Sequence, residues 1–456
     1  MSEEKMLQNK HIINIAKISD KIHFDNMADV KRVHQMAMQS DMKKTVIGRK
    51  FIARVEGILH GDREGKCLFC QKDVRDAVIC DVCKERVIKH TVKNASASSV
   101  NKGEERDGVD PALAAVKNRV NKTVDTITEK MNVMAGGSGK VDLRLKDLFS
   151  AVFKKHKSHE AEEIFICGTK YTTPREENIV TEWPRPWLFS RIFLLLFASF
   201  YILLMCYSSF ENTNVIPGII FVGSCMIPLA ILVFFFEVNA PRNISIFEVM
   251  KIFFLGGTAS LFVTLLIFSF YNIESISFFG AIMIGIIEEV GKLFIVAWFI
   301  RRMETKRYIL NGMLIGAAVG AGFAVFESAG YAMRYYIEGL LWGGSAGAYD
   351  AMLDVIYGRA ILSPGGHIAW AAFEGATLII VMGKDVFRWS YLWSVRFLKF
   401  FVIPVAMHAA WDMPIFNIAI GMFQIKHILL IALIWIVLLV LLHRGLEELN
   451  DINNRH

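Results

Sequence analysis

No apolar run long enough to cross a membrane occurs in the first 187 residues of this 456-residue chain. A span needs about 20 such residues, and this half of the chain is mixed polar sequence instead. The mean hydropathy of the whole chain is nevertheless +0.38, above that of an ordinary soluble domain. Nearly all of the hydrophobicity therefore lies after Trp187, and the pattern excludes a wholly water-soluble protein.

The apolar half also lacks any excess of charge. Lys and Arg number 17 after residue 187, equal to Asp and Glu, whereas the polar half has 34 basic and 27 acidic residues. A basic region beside a bilayer can contact anionic headgroups. The excess thus indicates a lipid bilayer as partner, and no nucleic acid is expected.

Eight segments of the apolar half are long enough to span a membrane. The predicted spans, one to eight, cover residues 188–208, 215–236, 248–271, 276–300, 309–332, 362–383, 397–420 and 427–443. No signal peptide is recognisable in the first stretch. The sequence therefore predicts an all-α polytopic membrane protein with about eight transmembrane helices.

The loops between the predicted spans differ in basic residues. Segments 301–307 and 384–399 carry four each, whereas SSFENTN and YNIES carry none. Basic loops stay on the cytoplasmic side. We expect a multi-pass protein of the cell membrane with both termini in the cytoplasm.

Four of the seven cysteines form one motif in the polar half, CxxC, nine residues, CxxC. They are Cys67, Cys70, Cys80 and Cys83. The spacing is typical of four thiolates around one tetrahedral zinc ion, which leaves no open position for catalysis. Two disulfides are the alternative, but they fit a reducing compartment poorly. We predict a small zinc ribbon with a structural metal.

The domain organisation follows from these features. We expect a helical N-terminal segment (1–60), the zinc ribbon (61–93), a linker with a helix (94–140), a juxtamembrane cytoplasmic region (141–187), a transmembrane domain (188–443) and a cytoplasmic tail (444–456).

The fourth predicted span contains two glutamates and a lysine in an apolar run, IGIIEEVGKLF. Charges near the bilayer centre are costly and usually functional. Lys292 follows Glu288 by four residues and Glu289 by three, so that its ammonium group can lie beside either carboxylate. Taken alone, the group is compatible with a structural ion pair or with a functional site.

Other predicted spans carry polar residues at similar depth. Glu327 and Tyr331 share a face in span five and follow a stripe of small residues, Gly312, Gly316 and Gly320, which permits close helix packing. Further pairs are His367 with Glu374 in span six, and His408 with Asp412 in span seven. Each has a plain structural explanation, but four successive helices with inward carboxylate or imidazole groups predict a convergent site for activating water.

The four motifs EEVGK, FESAGY, His367 with Glu374, and HAAWD resemble those of the PrsW family of intramembrane proteases. That family belongs to the superfamily of CAAX prenyl proteases and bacteriocin-processing enzymes. The resemblance covers about residues 245–445. It implies a membrane-embedded peptidase that cuts a membrane protein substrate, such as an anti-sigma-factor-like regulator in a proteolytic cascade.

The resemblance implies roles for the residues of these motifs. The catalytic set is Glu288, Glu289, Glu327, His367, His408 and Asp412, and the supporting set is Lys292, Tyr331 and Glu374. In a glutamate-based mechanism, Glu288 or Glu289 is the general base, and His408 with Asp412 supports the oxyanion or supplies the proton. In a metal-dependent mechanism, His367, His408 and a glutamate hold zinc. The sequence has no HExxH motif, which modestly favours the first, and the metal question stays open.

Two other classes of protein remain as alternatives. A transporter can use buried Glu, Lys and His as an ion relay, although no inverted repeat is recognisable. A non-catalytic receptor or scaffold is the other alternative, but the motifs are intact.

The residues 333–361 read as a long external loop placed to act as a lid over a cavity that opens toward the outer leaflet. The oligomeric state is not predicted.

Overall fold

The computed structural model describes residues 111–271, 277–303, 307–415, 418–420 and 423–454, with a few residues between Lys31 and His60. The chain divides into two units, residues 1–110 and 111–456, each considered by itself. In the first unit, the His34 imidazole lies 3.0 Å from a Glu56 carboxylate oxygen. The predicted zinc ribbon, with its four cysteines, lies outside the described residues.

The second unit consists mainly of helices. They are α1 (Pro111–Met134), α2 (Leu145–Leu148), α3 (Ser158–Phe165), α4 (Leu188–Phe210), α5 (Ile216–Val238), α6 (Ile246–Phe268), α7 (Phe278–Arg302), α8 (Ile309–Leu362), α9 (His367–Met382), α10 (Val395–Asp412) and α11 (Ile425–Asn453). A five-residue π turn, Ile252–Gly256, interrupts α6. Two antiparallel two-residue strands, β1 (Ala419–Ile420) and β2 (Phe423–Gln424), connect α10 to α11.

Six stretches within the described residues are long and apolar enough to cross a membrane. They are Leu188–Phe210, Thr213–Val238, Ile246–Phe268, Ile309–Leu341, Gly343–Met382 and Ile425–Asn453. The predicted spans four and seven are present as helices α7 and α10, but neither is among the six. Charged residues lower their apolarity: Glu288, Glu289 and Lys292 in α7, and Arg396, Lys399 and Asp412 in α10. The polytopic all-α class is confirmed, whereas eight spans are not.

The predicted external loop at 333–361 is wrong, because α8 continues through it to Leu362. The helix breaks once, at Gly344, with φ 64° and ψ −165°. Such a positive φ strains residues that have a Cβ. The residues after this break, 345–362, are called the arm. Tertiary packing makes the arm helical, since Met352 and Ile356 are buried in an apolar cluster with side chains of α4 and α5.

Helices α8 and α9 form the closest contact at the centre of the fold, as the glycine stripe predicts. A Cβ on Gly316 would overlap the backbone of Ala371, and one on Gly312 would overlap that of Gly375. Small residues let the two backbones approach. This contact brings the first residue of α9, His367, against Gly320 and fixes its place beside α8.

The juxtamembrane region lies at one end of the helices. Glu237, at the end of α5, accepts hydrogen bonds from three backbone N–H groups at the start of α4, each 2.8 Å long. Tyr308, just before α8, donates to Glu176 at 2.7 Å, and Asn453 donates to the Ile179 carbonyl at 3.0 Å. The region therefore covers the end at which α5 and α11 finish and α8 begins.

Candidate active site

Helix α7 contributes two carboxylates and one ammonium group to a buried polar cluster. The Lys292 Nζ atom lies 2.6 Å from a Glu289 oxygen and 3.8 Å from a Glu288 oxygen. The spacings of three and four residues place all three on one helical face, as the sequence predicts. Lys292 is fully buried, 4.6 Å from the centre of the Phe323 ring. The pair with Glu289 therefore lies away from any open water.

Helices α8 and α9 add Glu327 and His367. The Nε2 atom of His367 lies 2.9 Å from a Glu327 oxygen, and its Nδ1 atom lies 2.7 Å from the Lys292 ammonium nitrogen. A lysine can only donate, so these partners assign the proton to Nε2 and the lone pair to Nδ1. The imidazole thus connects the ammonium group of α7 to the carboxylate of α8.

Helix α10 adds His408 and Asp412. The Nδ1 atom of His408 donates to a Glu289 oxygen at 2.5 Å. Its Nε2 atom lies 3.7 Å from a Glu288 oxygen and 3.5 Å from an Asp412 oxygen. The Trp370 ring stacks on the imidazole, with centroids 4.5 Å apart. Glu289 and Trp370 therefore fix the orientation of this ring and leave its Nε2 atom available.

Glu374 lies behind this group on α9. It is 1% exposed, and neither of its carboxyl oxygens has a hydrogen-bond donor among the described residues. The carboxyl group interacts electrostatically with Glu289 and with Lys292. Because Glu374 is buried and does not line the cavity next to the cluster, a substrate in that cavity cannot touch it.

A cavity of about 760 Å³ lies beside the cluster, and some of the predicted site residues line it whereas others do not. Its wall includes Glu288, Glu327, Tyr331, His367, His408 and Asp412. Glu289 and Lys292 are fully buried and do not line it. Sequence alone left Glu288 and Glu289 as equivalent general bases, but of the two only Glu288 faces the cavity.

Three of the wall residues form a group with metal-binding geometry. One ligand atom each from Glu288, His367 and His408 can be chosen so that all three lie within 4.8 Å of one another. Two imidazoles and one carboxylate are ligands that zinc prefers. The three come from α7, α9 and α10, so the group depends on tertiary packing.

The sequence analysis missed one charged member of the cluster, Arg359 in the arm. Its guanidinium group donates to Glu327 and, at 2.8 Å, to the Ser328 hydroxyl, and it lies 4.7 Å from the centre of the Tyr331 ring. A lone cation in a segment otherwise rich in small and apolar residues was the available signal. The loop-like composition of the segment outweighs this signal in the sequence.

The cluster is rich in acid. Within the described residues it combines five carboxyl groups (Glu288, Glu289, Glu327, Glu374 and Asp412) with two permanent cations, Lys292 and Arg359. Buried charge needs compensation. Further positive charge, from a proton or a bound cation, would therefore stabilise the site.

The cavity lies toward one end of the helices. Glu288 is ten residues from the start of α7, a rise of about 15 Å, and fourteen residues from its end, about 21 Å. Residues from the end of α6, the start of α9 and the end of α10 also line the cavity. All lie toward the end of the bundle opposite the juxtamembrane region.

Comparison with known proteins gives one family. No curated protein and no solved structure matches the chain. The similarity begins at the start of α6, includes every predicted site residue of the transmembrane half, and leaves out α4 and α5. Residues 246–442 match the model of the family described as PrsW family intramembrane metalloprotease.

Proposed function

We propose that this chain is an intramembrane peptidase that hydrolyses a peptide bond of a membrane protein. The observation that carries the proposal is the group Glu288, His367 and His408 on the wall of a cavity between apolar helices. Carboxylate and imidazole groups can exchange protons with water and with a leaving amine. The family match of residues 246–442 supports the same reaction class.

The residues of the wall have separate roles in this proposal. Glu288 has one buried oxygen without a hydrogen-bond donor, so it is available to a water molecule or a cation. His408, held through Nδ1 by Glu289, presents Nε2 to the cavity between Glu288 and Asp412. Asp412, whose carboxylate lies 3.5 Å from His408 Nε2, is our candidate for handing a proton to the leaving amine. The Tyr331 hydroxyl, on the same wall, is our candidate for stabilising the oxyanion.

The donor set fits a divalent metal ion. Glu288, His367 and His408 would hold it, and its positive charge would offset part of the acidic excess. A metal ion there supplies Lewis-acid activation of water and of the scissile carbonyl group. Glu289 bonds the other nitrogen of His408, an arrangement typical of a histidine that binds metal. We therefore favour the metal-dependent mechanism.

A metal-free, glutamate-based mechanism is the second candidate, because one observation favours it. The Lys292 ammonium group lies 2.7 Å from His367 Nδ1, where it competes with a metal ion for the lone pair. In this version Glu288 takes the proton from water directly. Metal analysis of a Cys67→Ser, Cys70→Ser variant, which lacks the proposed ribbon zinc, separates the two: the metal-dependent version predicts a further bound ion that His408→Gln removes, and the other predicts full activity without one.

We further propose eight crossings, with α7 and α10 spanning the membrane beside the six apolar stretches. The 25 residues of α7 rise about 37 Å, enough for a span. Its charges face the polar cluster, so lipid need not solvate them. The basic loops then make both termini cytoplasmic.

Because the cavity lies away from the juxtamembrane region, it opens toward the outer half of the bilayer, and substrates are cut near their external end.

The test of the proposed activity compares cells that carry the wild-type protein with cells that carry Glu288→Gln. We expect truncated forms of one or a few membrane proteins, including single-span regulators, to disappear in the variant. Glu338→Gln is the matched control: it is the same substitution, but Glu338 lies on α8, does not line the cavity, and forms an exposed pair with Arg334. Identical fragment patterns in wild type and Glu288→Gln would reject the peptidase.

We propose a structural zinc ion at Cys67, Cys70, Cys80 and Cys83, independent of the membrane site. Replacing Cys67 and Cys70 with serine should remove about one equivalent of zinc from the purified protein. Cys206→Ser, in α4, is the control because that thiol is free. Unchanged zinc content in the double variant would show that the motif binds no metal.

A further inference from the structure

The arm carries one positive charge, on Arg359, which contacts Glu327, and Glu327 in turn contacts His367. Arg359 and His367 both contact the same oxygen of Glu327. Arg359 does not contact His367 itself. The Glu327 carboxylate lies between the Arg359 guanidinium group and the His367 imidazole. The position of Arg359 therefore affects the contact between Glu327 and the imidazole ring.

Arg359 is fixed by more than its ion pair. The Nε atom donates to Ser328 at 2.8 Å, and the guanidinium group faces the Tyr331 ring at 4.7 Å. A planar guanidinium group can make these contacts together, whereas a lysine ammonium group cannot reproduce their geometry. Glu327, Ser328 and Tyr331 follow one another on the first part of α8, so Arg359 ties the arm to this face.

The arm in turn is mounted on α4 and α5. The Tyr207 and Tyr349 rings stack with centroids 4.1 Å apart, and the Phe200 and Tyr357 rings meet edge to face at 6.0 Å. Gly223 of α5 leaves room for Ile356, because a Cβ there would lie 2.7 Å from the Ile356 side chain. These contacts lie within ten residues of Arg359.

We propose that Arg359 is a positioning residue for His367, and that α4 and α5 serve the site by holding the arm. Glu327 is only 15% exposed, so loss of the guanidinium group leaves its carboxylate with the imidazole as its nearest partner. The ring must then shift relative to Lys292 and Glu288. Both helices lie outside the matched residues 246–442, yet they carry part of the support of the site.

The role of Arg359 in catalysis rests on the proposed peptidase function, but the test measures only the NMR signals of the His367 ring. The full-length protein, labelled with ¹⁵N-histidine and held in lipid nanodiscs, gives ring resonances that a His367→Asn variant assigns. Arg359→Gln should shift the His367 resonances, and Arg359→Lys should shift them less, because it keeps the charge. Arg334→Gln is the matched control: Arg334 also lines the cavity, but its partner is Glu338.

The packing of the arm on α4 and α5 is tested through the same His367 ring resonances. Gly223→Leu should displace Ile356 and shift the His367 resonances, whereas Gly218→Leu on the same helix meets only the end of the Leu203 side chain. Unmoved His367 resonances in Gly223→Leu would overturn the role of α4 and α5. If Arg359→Gln fails to fold, Arg359→Lys decides: a His367 signal identical to that of wild type would overturn the role of Arg359.

A double-mutant cycle gives an independent measure. Arg359 and His367 share an oxygen of Glu327 as partner, so a cycle of Arg359→Gln with His367→Gln measures whether their effects on unfolding are coupled through that carboxylate. Positioning through Glu327 predicts coupling, which we expect to change the unfolding equilibrium constant by about tenfold. The cycle of Arg334→Gln with His367→Gln should be additive. Additivity in both cycles would contradict the proposal, whether or not the protein cleaves peptides.

Discussion

Replacing Lys292 with methionine should destabilise the protein strongly. Its ammonium group is fully buried and lies 2.6 Å from Glu289 and 2.7 Å from His367. Methionine fills most of the volume but leaves Glu289 with His408 as its one close donor among the described residues. Breaking a buried pair by removal of one partner costs about 3–5 kcal/mol, because the other charge stays buried.

The assay is thermal or denaturant unfolding of the purified protein in one detergent, with Lys251→Met as control. Lys251 forms a pair of similar length with Glu248, at 2.5 Å, but both side chains are more than a third exposed. Exposed pairs contribute about 0–1 kcal/mol. The two variants therefore remove the same chemical group from the same kind of pair and differ in burial.

A second variant identifies the cause. Adding Glu289→Gln to Lys292→Met removes the charge left behind, so the double variant should recover part of the lost stability. Equal stability of Lys292→Met and Lys251→Met would contradict this prediction, because it would mean that the Glu289 charge is satisfied without the lysine. Failure of the double variant to recover would show that the loss comes from packing alone.

Three further predictions concern packing, the deep carboxyl group and orientation. Gly316→Ala should destabilise the α8–α9 contact by more than 1 kcal/mol, whereas Gly330→Ala on the same helix meets open space and should be neutral or stabilising, as unfolding will show. Glu374→Gln should keep more stability than Glu374→Leu, because an amide can donate to the free oxygen of Glu289 and leucine cannot; equal losses would contradict this. Reporter fusions should read as external at residues 210 and 273 and as cytoplasmic at 304 and 390, and an external signal at 304 would reverse the topology.

Sequence reasoning reached most of the candidate site because charge is conspicuous in apolar sequence. Three charged residues in an apolar helix need partners whatever surrounds that helix: Glu288, Glu289 and Lys292. Their spacing of three and four residues places them on one helical face. The glycine stripe of α8 predicted a close neighbour for the same reason, since small residues serve little purpose on a lipid-facing surface. Local periodicity and burial cost are properties of the chain itself.

The sequence did not reveal the arm. WGGSAGAYD has the composition of a loop, and only contact with α4 and α5 makes the residues after Gly344 helical. Arg359 was missed with it. The charges that keep α7 and α10 out of the six apolar stretches are, in contrast, visible in the sequence.

Composition and local periodicity are enough to predict the membrane class, the helices and the polar residues within the apolar half. That Glu288 faces the cavity while Glu289 lies behind it, and that His367 stands between Lys292 and Glu327, follows from the packing of the helices. Neighbouring residues in one helix differ by about 100° around its axis. Which of the two directions meets a cavity depends on the helices packed around it, and residues 40 or 75 positions apart meet only through that packing.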